Sequence, residues 1–549
     1  MLICTSCETA RVPTSEFTAL LDHLGMLLGA HLWDAAYLHA RLAIGKAQHG
    51  AQSRQVLERC LQVPAEVRLT APWAPLIALI ASRSSAPEIC EVHLKAFPAG
   101  QAALQAWVLM QRDDAPAALS LSEQALEGEH AALAWRMRAW ALAHLGRSGW
   151  PEAYREAVRR NQGRGRGLCL LQLGAYLSLS GDEAGARSAY AESSGHFAHD
   201  PELRANALYN VGTACLRLQD LTAAGRAYQG AMRTASQPAG IRMLARAWSG
   251  LGHVYRARAE FPRALHAYDM AQTKATEADD IAQAWRGKAH TLRLLGRLDE
   301  ALSTLHEALT LLGEPERHNL YADMAATLLM LGDMPGTHAS LRRVPAGSAE
   351  ETQRVQIVQA ELLRRQGQPG EAMALLHTLD LTALWTAEEM HLFPELFALI
   401  DQRSPPRQPM QLQVRADGPV RACLNGLLLE DLPPTRPAAS LLALLVVRGG
   451  TLPVSQVLDE VTLSGQTLRA RKQHLSKVLG ELRDLLGWPG ALSTDGRTLK
   501  LSSDLVLAPL VVPEVAEQFC AGLEDEWTQR WREDHDEHSA LIQKSSHRS

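Results

Sequence analysis

Arg469, Gln473 and Lys477 recur at intervals of four within the stretch Thr467 to Leu486, and Lys472, Ser476, Gly480 and Arg483 extend the same polar row. Residues four apart share a helical face, so the row presents guanidinium, amide and ammonium donors along one line. Its chemistry is recognition of a polyanion: Arg and Gln can pair two hydrogen bonds with guanine and adenine edges, while Lys472, Ser476 and Arg483 would hold the phosphate backbone. The other face carries Leu468, Leu475, Leu479, Leu482 and Leu486, spaced 7, 4, 3 and 4 apart, and requires burial. An amphipathic surface helix with a solvated polar face has the same pattern, so neighbouring elements must decide. Gly480 in mid-helix costs about 1 kcal/mol relative to Ala; close approach to DNA is one reason to tolerate it and neutral drift is the other.

No catalytic constellation accompanies this row. The chain has no GxxxxGK[ST], no HExxH and no GxSxG preceded by a strand, so no enzyme activity and no cofactor are expected. His253, His266 and His290 read as packing or repeat-surface residues. The run Glu524, Asp525, Glu526, Glu533, Asp534, Asp536 and Glu537 reads as the solvated face of a helix. Cys4 and Cys7 form a lone CxxC that could hold half a zinc site or a redox pair, but no second CxxC or HxxxH follows, and no metal site is expected.

The 549 residues exceed what a single core supports, which calls for several domains or a repeat array. Ala and Leu dominate a composition that is 46% hydrophobic and 5% aromatic, as in a helical protein. The formal charge of -5 gives no overall basic signature, so any nucleic-acid contact must be local. Dispersed cysteines, no signal-peptide pattern and no apolar run of membrane-spanning length lead to the expectation of a cytoplasmic protein without membrane contact.

Residues 15 to 400 show helical periodicity broken by short turns. Trp248, Leu251, Gly252, Tyr255, Ala264, Tyr268 and Ala271 follow the tetratricopeptide pattern, and Leu208, Val211, Gly212, Cys215, Ala224, Tyr228 and Ala231 repeat it. Taking Gly174, Gly212, Gly252, Ala289, Ala325 and Ala360 as equivalent gives periods of 38, 40, 37, 36 and 35. Small residues such as Gly252 and Ala264 let two helices approach, and Trp248, Tyr255 and Tyr268 fill the gaps to the next unit. The stack resembles the extended tetratricopeptide arrays of bacterial signal receptors, most clearly over 130 to 385, which implies a concave surface for a protein, peptide or small effector. Tyr209, Asn210, Arg217, Arg246, His253, Arg256, Arg286 and Arg293 fall on or near first helices and are the candidate partner-binding residues; ordinary solvated positions are the other reading of each.

The stretch 401–410 is a Pro-rich linker, with Pro405, Pro406 and Pro409. Beyond it, strands at Gln411 to Arg415, Val420 to Leu424 and Leu427 to Leu429 flank the hairpin signal Asn425-Gly426. An apolar helix through Leu441 to Leu445, a short one at Val457 to Val461, the Thr467–Leu486 helix and a hairpin about Asp495-Gly496 complete the order. This is the layout of a winged helix-turn-helix with the basic helix third, and Arg497 at the hairpin tip would be a wing contact to DNA or a solvated loop residue.

The segments "NGLLLEDLPPTRPAASLLALLVVRGGTLPVSQVLDEV", "LRARKQHLSKVLGELRDLLG" and "LSTDGRTLKLS" resemble the OmpR-type winged helix of bacterial transcriptional activators of the antibiotic regulatory protein class. "FCAGLEDEWTQRWRED" looks like the opening of the bacterial transcriptional activator domain that follows in those proteins, and the chain ends before that domain could be completed. The resemblance covers about 410 to 535 and implies binding to double-stranded DNA and a contact to the transcription machinery. Glu481 and Asp484 stand where family members tend to carry Arg or Lys, and residues 411–510 hold eleven Lys or Arg against nine Asp or Glu, a net charge of about +2. Non-specific DNA binding should therefore be weak, and a homodimer or several adjacent sites would compensate.

The expected architecture is mainly α: a tail with the CxxC at 1–14, a tetratricopeptide-like α-solenoid at 15–400, the linker at 401–410, a small α+β winged helix-turn-helix domain at 411–510, and a C-terminal helix and tail at 511–549. The function that follows is transcriptional regulation under control of the array. The alternative is an interaction adaptor whose winged helix no longer binds DNA. Effector, operator, sign of regulation and oligomeric state are not written in the sequence.

Overall fold

The computed structural model describes residues 14–534 apart from 48–49, 99, 129, 237–242, 345–348, 403–408, 430–435, 462–466 and 514. The Cys4–Cys7 pair, most of the 401–410 linker and the tail beyond 534 lie outside the described residues. The chain is mainly α, and it divides into two compact units, Met1–Gly250 and Leu251–Ser549. The division falls within the repeats, and the second unit holds the later repeats together with the C-terminal α+β region.

In the first unit, helices run from Thr14–Gly29 to Leu221–Ala235, with tetratricopeptide-like pairs Gly163–Leu179 with Glu183–Gly195 and Pro201–Arg217 with Leu221–Ala235. Second helices start at an Asp cap: Asp182 Oδ1 accepts from the Gly185 N–H at 2.8 Å and Asp220 Oδ1 from the Ala223 N–H at 2.9 Å. In the second unit the pairs continue as Phe261–Lys274 with the helix before it, Ala278–Leu294 with Leu298–Leu311, Glu314–Leu331 with Met334–Leu341, and Ala349–Arg365 with Pro369–Leu376.

The repeat signature is a packing device. A Cβ on Gly252 would lie 2.6 Å from the Tyr268 ring and one on Gly287, in the next pair, 2.2 Å from it. Tyr228 is seated likewise between Gly212 and Gly250. Each tyrosine thus occupies a slot formed by glycines of its own pair and of the following one. The glycines of the following pair, Gly250 and Gly287, were not singled out from the sequence.

The α+β region opens with β1 (Met410–Arg415), β2 (Arg421–Leu424) and β3 (Leu427–Leu428). Asn425 and Gly426 have φ of 50° and 79°, the doubly left-handed turn that suits strand twist, and Asn425 Oδ1 accepts the Gln411 N–H at 2.8 Å. The helices Arg436–Val447, Val454–Glu460 and Leu468–Leu486 follow, with β4 (Thr451–Pro453) between the first two. The hairpin β5 (Leu492–Thr494) and β6 (Thr498–Leu501) precedes β7 (Leu505–Leu507). Two sheets result, β3-β2-β1-β7 with β7 parallel to β1, and β4-β6-β5. Strands β4 and β7 escaped the sequence reading because each is short and neither flanks a turn dipeptide such as the Asn-Gly and Asp-Gly that marked β2–β3 and β5–β6.

Two expectations are corrected. Leu468 is 59% exposed, since it is the first residue of its helix and projects past the core, and Val478 takes the buried place instead. The expected boundary at 510 does not bound the core: Phe519, Leu523 and Trp527 enter the same core as Leu442 and Leu482, and Trp527 Nε1 donates to Ser440 Oγ at 2.8 Å. The Arg532 guanidinium clamps the turn by donating to the carbonyls of Phe519 and Leu523, each at 2.8 Å. Among the described residues no helix is long and apolar enough to cross a membrane.

Candidate functional site

The Leu468–Leu486 helix is the first candidate. Thr467 caps it by accepting the Ala470 N–H, and Gly487 ends it at φ 92°. Leu475, Val478, Leu479, Leu482 and Leu486 are buried, which turns Arg469, Lys472, Gln473, Ser476 and Lys477 outward, all exposed. Nothing stands within 4 Å of where a Gly480 Cβ would be. Arg497 and Lys500 are exposed on the β5–β6 hairpin, whose turn is held by Asp495 Oδ1 accepting the N–H groups of Arg497 at 2.8 Å and Thr498 at 2.7 Å. Lys500 was missed by the sequence reading; it points outward from β6, where its alternation with buried Leu499 was a usable signal.

Arg483 departs from its predicted role. Its guanidinium donates twice to the Leu492 carbonyl, at 3.0 and 2.9 Å, and so ties the helix to β5 instead of facing a phosphate. Arg471, not among the candidates, does similar work by donating to Asp459 at 3.0 Å and to the Leu458 carbonyl.

The eight candidate residues of the array separate. In the first unit, Tyr209 tilts against Tyr228 with ring centroids 5.6 Å apart, Asn210 donates to Asn206 at 3.0 Å, Arg217 donates to Glu183 at 2.9 Å, and Arg246 is half-buried. In the second unit, His253, Arg256, Arg286 and Arg293 meet in one buried polar network. Arg256 Nε donates to Glu388 Oε1 at 2.9 Å and its Nη1 to the Tyr268 hydroxyl at 3.1 Å, which also lies 3.0 Å from His253 Nδ1. Arg286 and Arg293 donate to the two oxygens of Asp323 at 3.0 and 2.9 Å.

These are not solvated groove positions. Arg293 is 2% exposed, and the carboxylates that satisfy the arginines come from Asp323 and from Glu388 and Glu389 on the helix Leu384–Leu392. Burial, with Arg256 beside them, pushes His253 and His290 down to about 3, so both stand neutral. Desolvation works to raise the Glu388 and Asp323 carboxyls, yet both are held well below the usual carboxylate range, Glu388 chiefly by Arg256 and Asp323 by Arg293 and Arg286. Burial raises Glu389 in spite of Arg293 and Arg354, the nearest Arg354 nitrogen being 3.9 Å away. The sequence reading missed Asp323, Arg354, Glu388 and Glu389; the adjacent acids after the last repeat pair were the available signal. Among the described residues no group of three or more His, Cys, Asp or Glu is arranged to hold a metal ion.

The array and the α+β region touch within the second unit. Glu260 and Arg263 pair at 2.6 Å at the start of the 261–274 helix, both buried; the Asn425 side chain helps to hold the Glu260 carboxyl down against its burial, and a Cβ on Gly487 would meet Arg263 Nε at 2.6 Å. The contact uses the β2–β3 turn and the end of the 468–486 helix, and leaves Arg469, Lys472, Gln473, Ser476 and Lys477 exposed.

No protein-family model matches the chain, and no curated protein matches it. Among solved structures it is similar to a tetratricopeptide repeat protein from Parabacteroides merdae ATCC 43184, at 12% identity over 47% of this chain and 98% of that one, with a TM-score of 0.38. It is similar to the apo form of the quorum sensor NprR from B. thuringiensis, at 14% identity over 60% of this chain and 98% of that one, TM-score 0.39. A Rap protein complexed with competence and sporulation factor gives 15% identity over 62% and 99%, TM-score 0.34.

Proposed function

We propose that the chain is a transcriptional regulator that binds promoter DNA through a C-terminal winged helix and receives a protein, peptide or small effector through its helical repeats. The observation that carries the reading is the outward row Arg469, Lys472, Gln473, Ser476 and Lys477 on the third helix of the α+β region, together with the exposed Arg497 and Lys500 of the following hairpin. An α-helix fits the major groove, and a hairpin of this kind reaches the flanking backbone or minor groove. Arg469 and Gln473 read base edges, Lys472 and Lys477 hold phosphates, and Glu481 and Asp484 keep the second half of the helix away from the duplex. No step of this reading is catalytic.

A second reading, an interaction adaptor without DNA binding, is favoured by the modest charge of the region, eleven Lys or Arg against nine Asp or Glu over 411–510. Genome-wide occupancy of the tagged protein separates the two. The regulator gives discrete promoter peaks that vanish in an Arg469→Ala/Lys477→Ala variant; peaks that survive that variant, or no peaks under any growth condition, go against it.

A further inference from the structure

The Leu384–Leu392 helix follows the last repeat pair and has no second helix of repeat length, since the next, Pro394–Phe397, has four residues. Trp385, Glu388 and Glu389 stand three and four apart on it and share one face. Trp385 lies against the Arg354 guanidinium, 5.2 Å from its ring centroid; Glu388 accepts from Arg256 at 2.9 Å; Glu389 approaches Arg354 at 3.9 Å. Both arginines sit on first helices of repeat pairs, Leu244–Ala257 and Ala349–Arg365, so the short helix lies on the face that a repeat array ordinarily offers to a ligand.

That helix brings Glu388 to Arg256 and Glu389 to Arg354, so the place it fills, where Arg286 and Arg293 also converge on Asp323, favours an anionic occupant. The Glu388 carboxylate also reaches the buried His290, whose Nε2 lies 3.3 Å from Glu388 Oε2. Arginine forks favour carboxylates, and the aromatic ring beside Arg354 adds a cation–π contact that a simple anion lacks.

We propose that this is a binding site for an acidic peptide segment of a partner protein, one with an aromatic residue followed at three and four positions by carboxylates, and that the 384–392 segment occupies it in the partner's absence. The proposal rests on the reading of the repeats as the receiving surface. It fixes the ligand as acidic and helical and makes recognition a displacement of like by like.

A fluorescent peptide with the sequence of residues 380–394, and its form with Gln at both acidic positions, are titrated into the full-length protein and followed by anisotropy. The Glu388→Gln/Glu389→Gln variant should bind the acidic peptide about tenfold more tightly than the wild type, which must first expel its own segment. Trp385→Ala should act in the same direction and provides the reading if the double variant melts. Arg256→Gln and the Gln-containing peptide should each lose the binding. Absence of saturable binding to a folded Trp385→Ala or double variant, or equal affinity for acidic and Gln peptides, overturns the proposal and leaves the helix as a fixed cap. Promoter binding by the same preparations separates the two readings: peptide failing while promoter binding persists goes against the acidic site alone, and the converse goes against the regulator alone.

Discussion

Tyr268 is held between Gly252 and Gly287 while its hydroxyl serves Arg256 and His253, so one side chain both spaces the repeats and completes the polar network. Gly287→Ala should cost about 1–3 kcal/mol by overpacking, whereas Gly480→Ala, with open space around it, should gain about 1 kcal/mol; urea denaturation of the two variants checks both signs. The neutral histidines set a pH dependence. A histidine whose folded value of about 3 lies below its unfolded value stabilises the fold above pH 6.5, and that contribution is lost as pH falls from 6.5 toward 3. The loss from pH 7 to pH 5 should be on the order of 2 kcal/mol per histidine, offset in part by Glu389, whose raised carboxyl works in the opposite sense. His290→Asn should flatten the slope, as read from denaturation midpoints at the two pH values. The small-to-large alternation that seats Tyr268 was readable because it recurs with each repeat. The fate of Arg256 was not, because its partner Glu388 lies 132 residues away and such a pairing leaves no periodic trace.

The 468–486 helix was legible almost to its caps, since Thr467 precedes it, Gly487 follows it and a leucine stripe runs between. What periodicity could not distinguish was a basic residue that faces outward from one that braces the helix. Arg483 braces β5, so Arg483→Ala should lower the stability of the α+β region by about 1–3 kcal/mol while leaving the salt dependence of DNA binding unchanged. Lys477→Ala should do the reverse, reducing the slope of log K against log salt by about one unit with no loss of stability. Chemical denaturation and filter-binding titrations over a range of salt tell the two apart. Phe519 and Trp527 were read as the start of a further domain because the resemblance supplied a neighbour for them; their stacking beside Leu442 and Leu482 makes them part of this core.

In the chain as a whole, a net charge of -5 accompanies a small set of exposed cations, Arg469, Lys472, Lys477, Arg497 and Lys500, in the region proposed to meet DNA. One copy on DNA should therefore show a salt slope of about −4, and a pair on adjacent half-sites about twice that, values that salt titration can separate. The mainly helical architecture and its order along the chain were legible from composition and repeats. The contact of the 261–274 helix with the α+β region was not, because it is made by Glu260, Arg263, Asn425 and Gly487, polar and small residues with no sequence pattern in common. The 261–274 helix joins these observations: its start grips the α+β region and its middle supplies Tyr268 to the polar network. If both proposals hold, this helix links the two sites, and the factor by which the peptide alters operator affinity must then equal the factor by which operator alters peptide affinity.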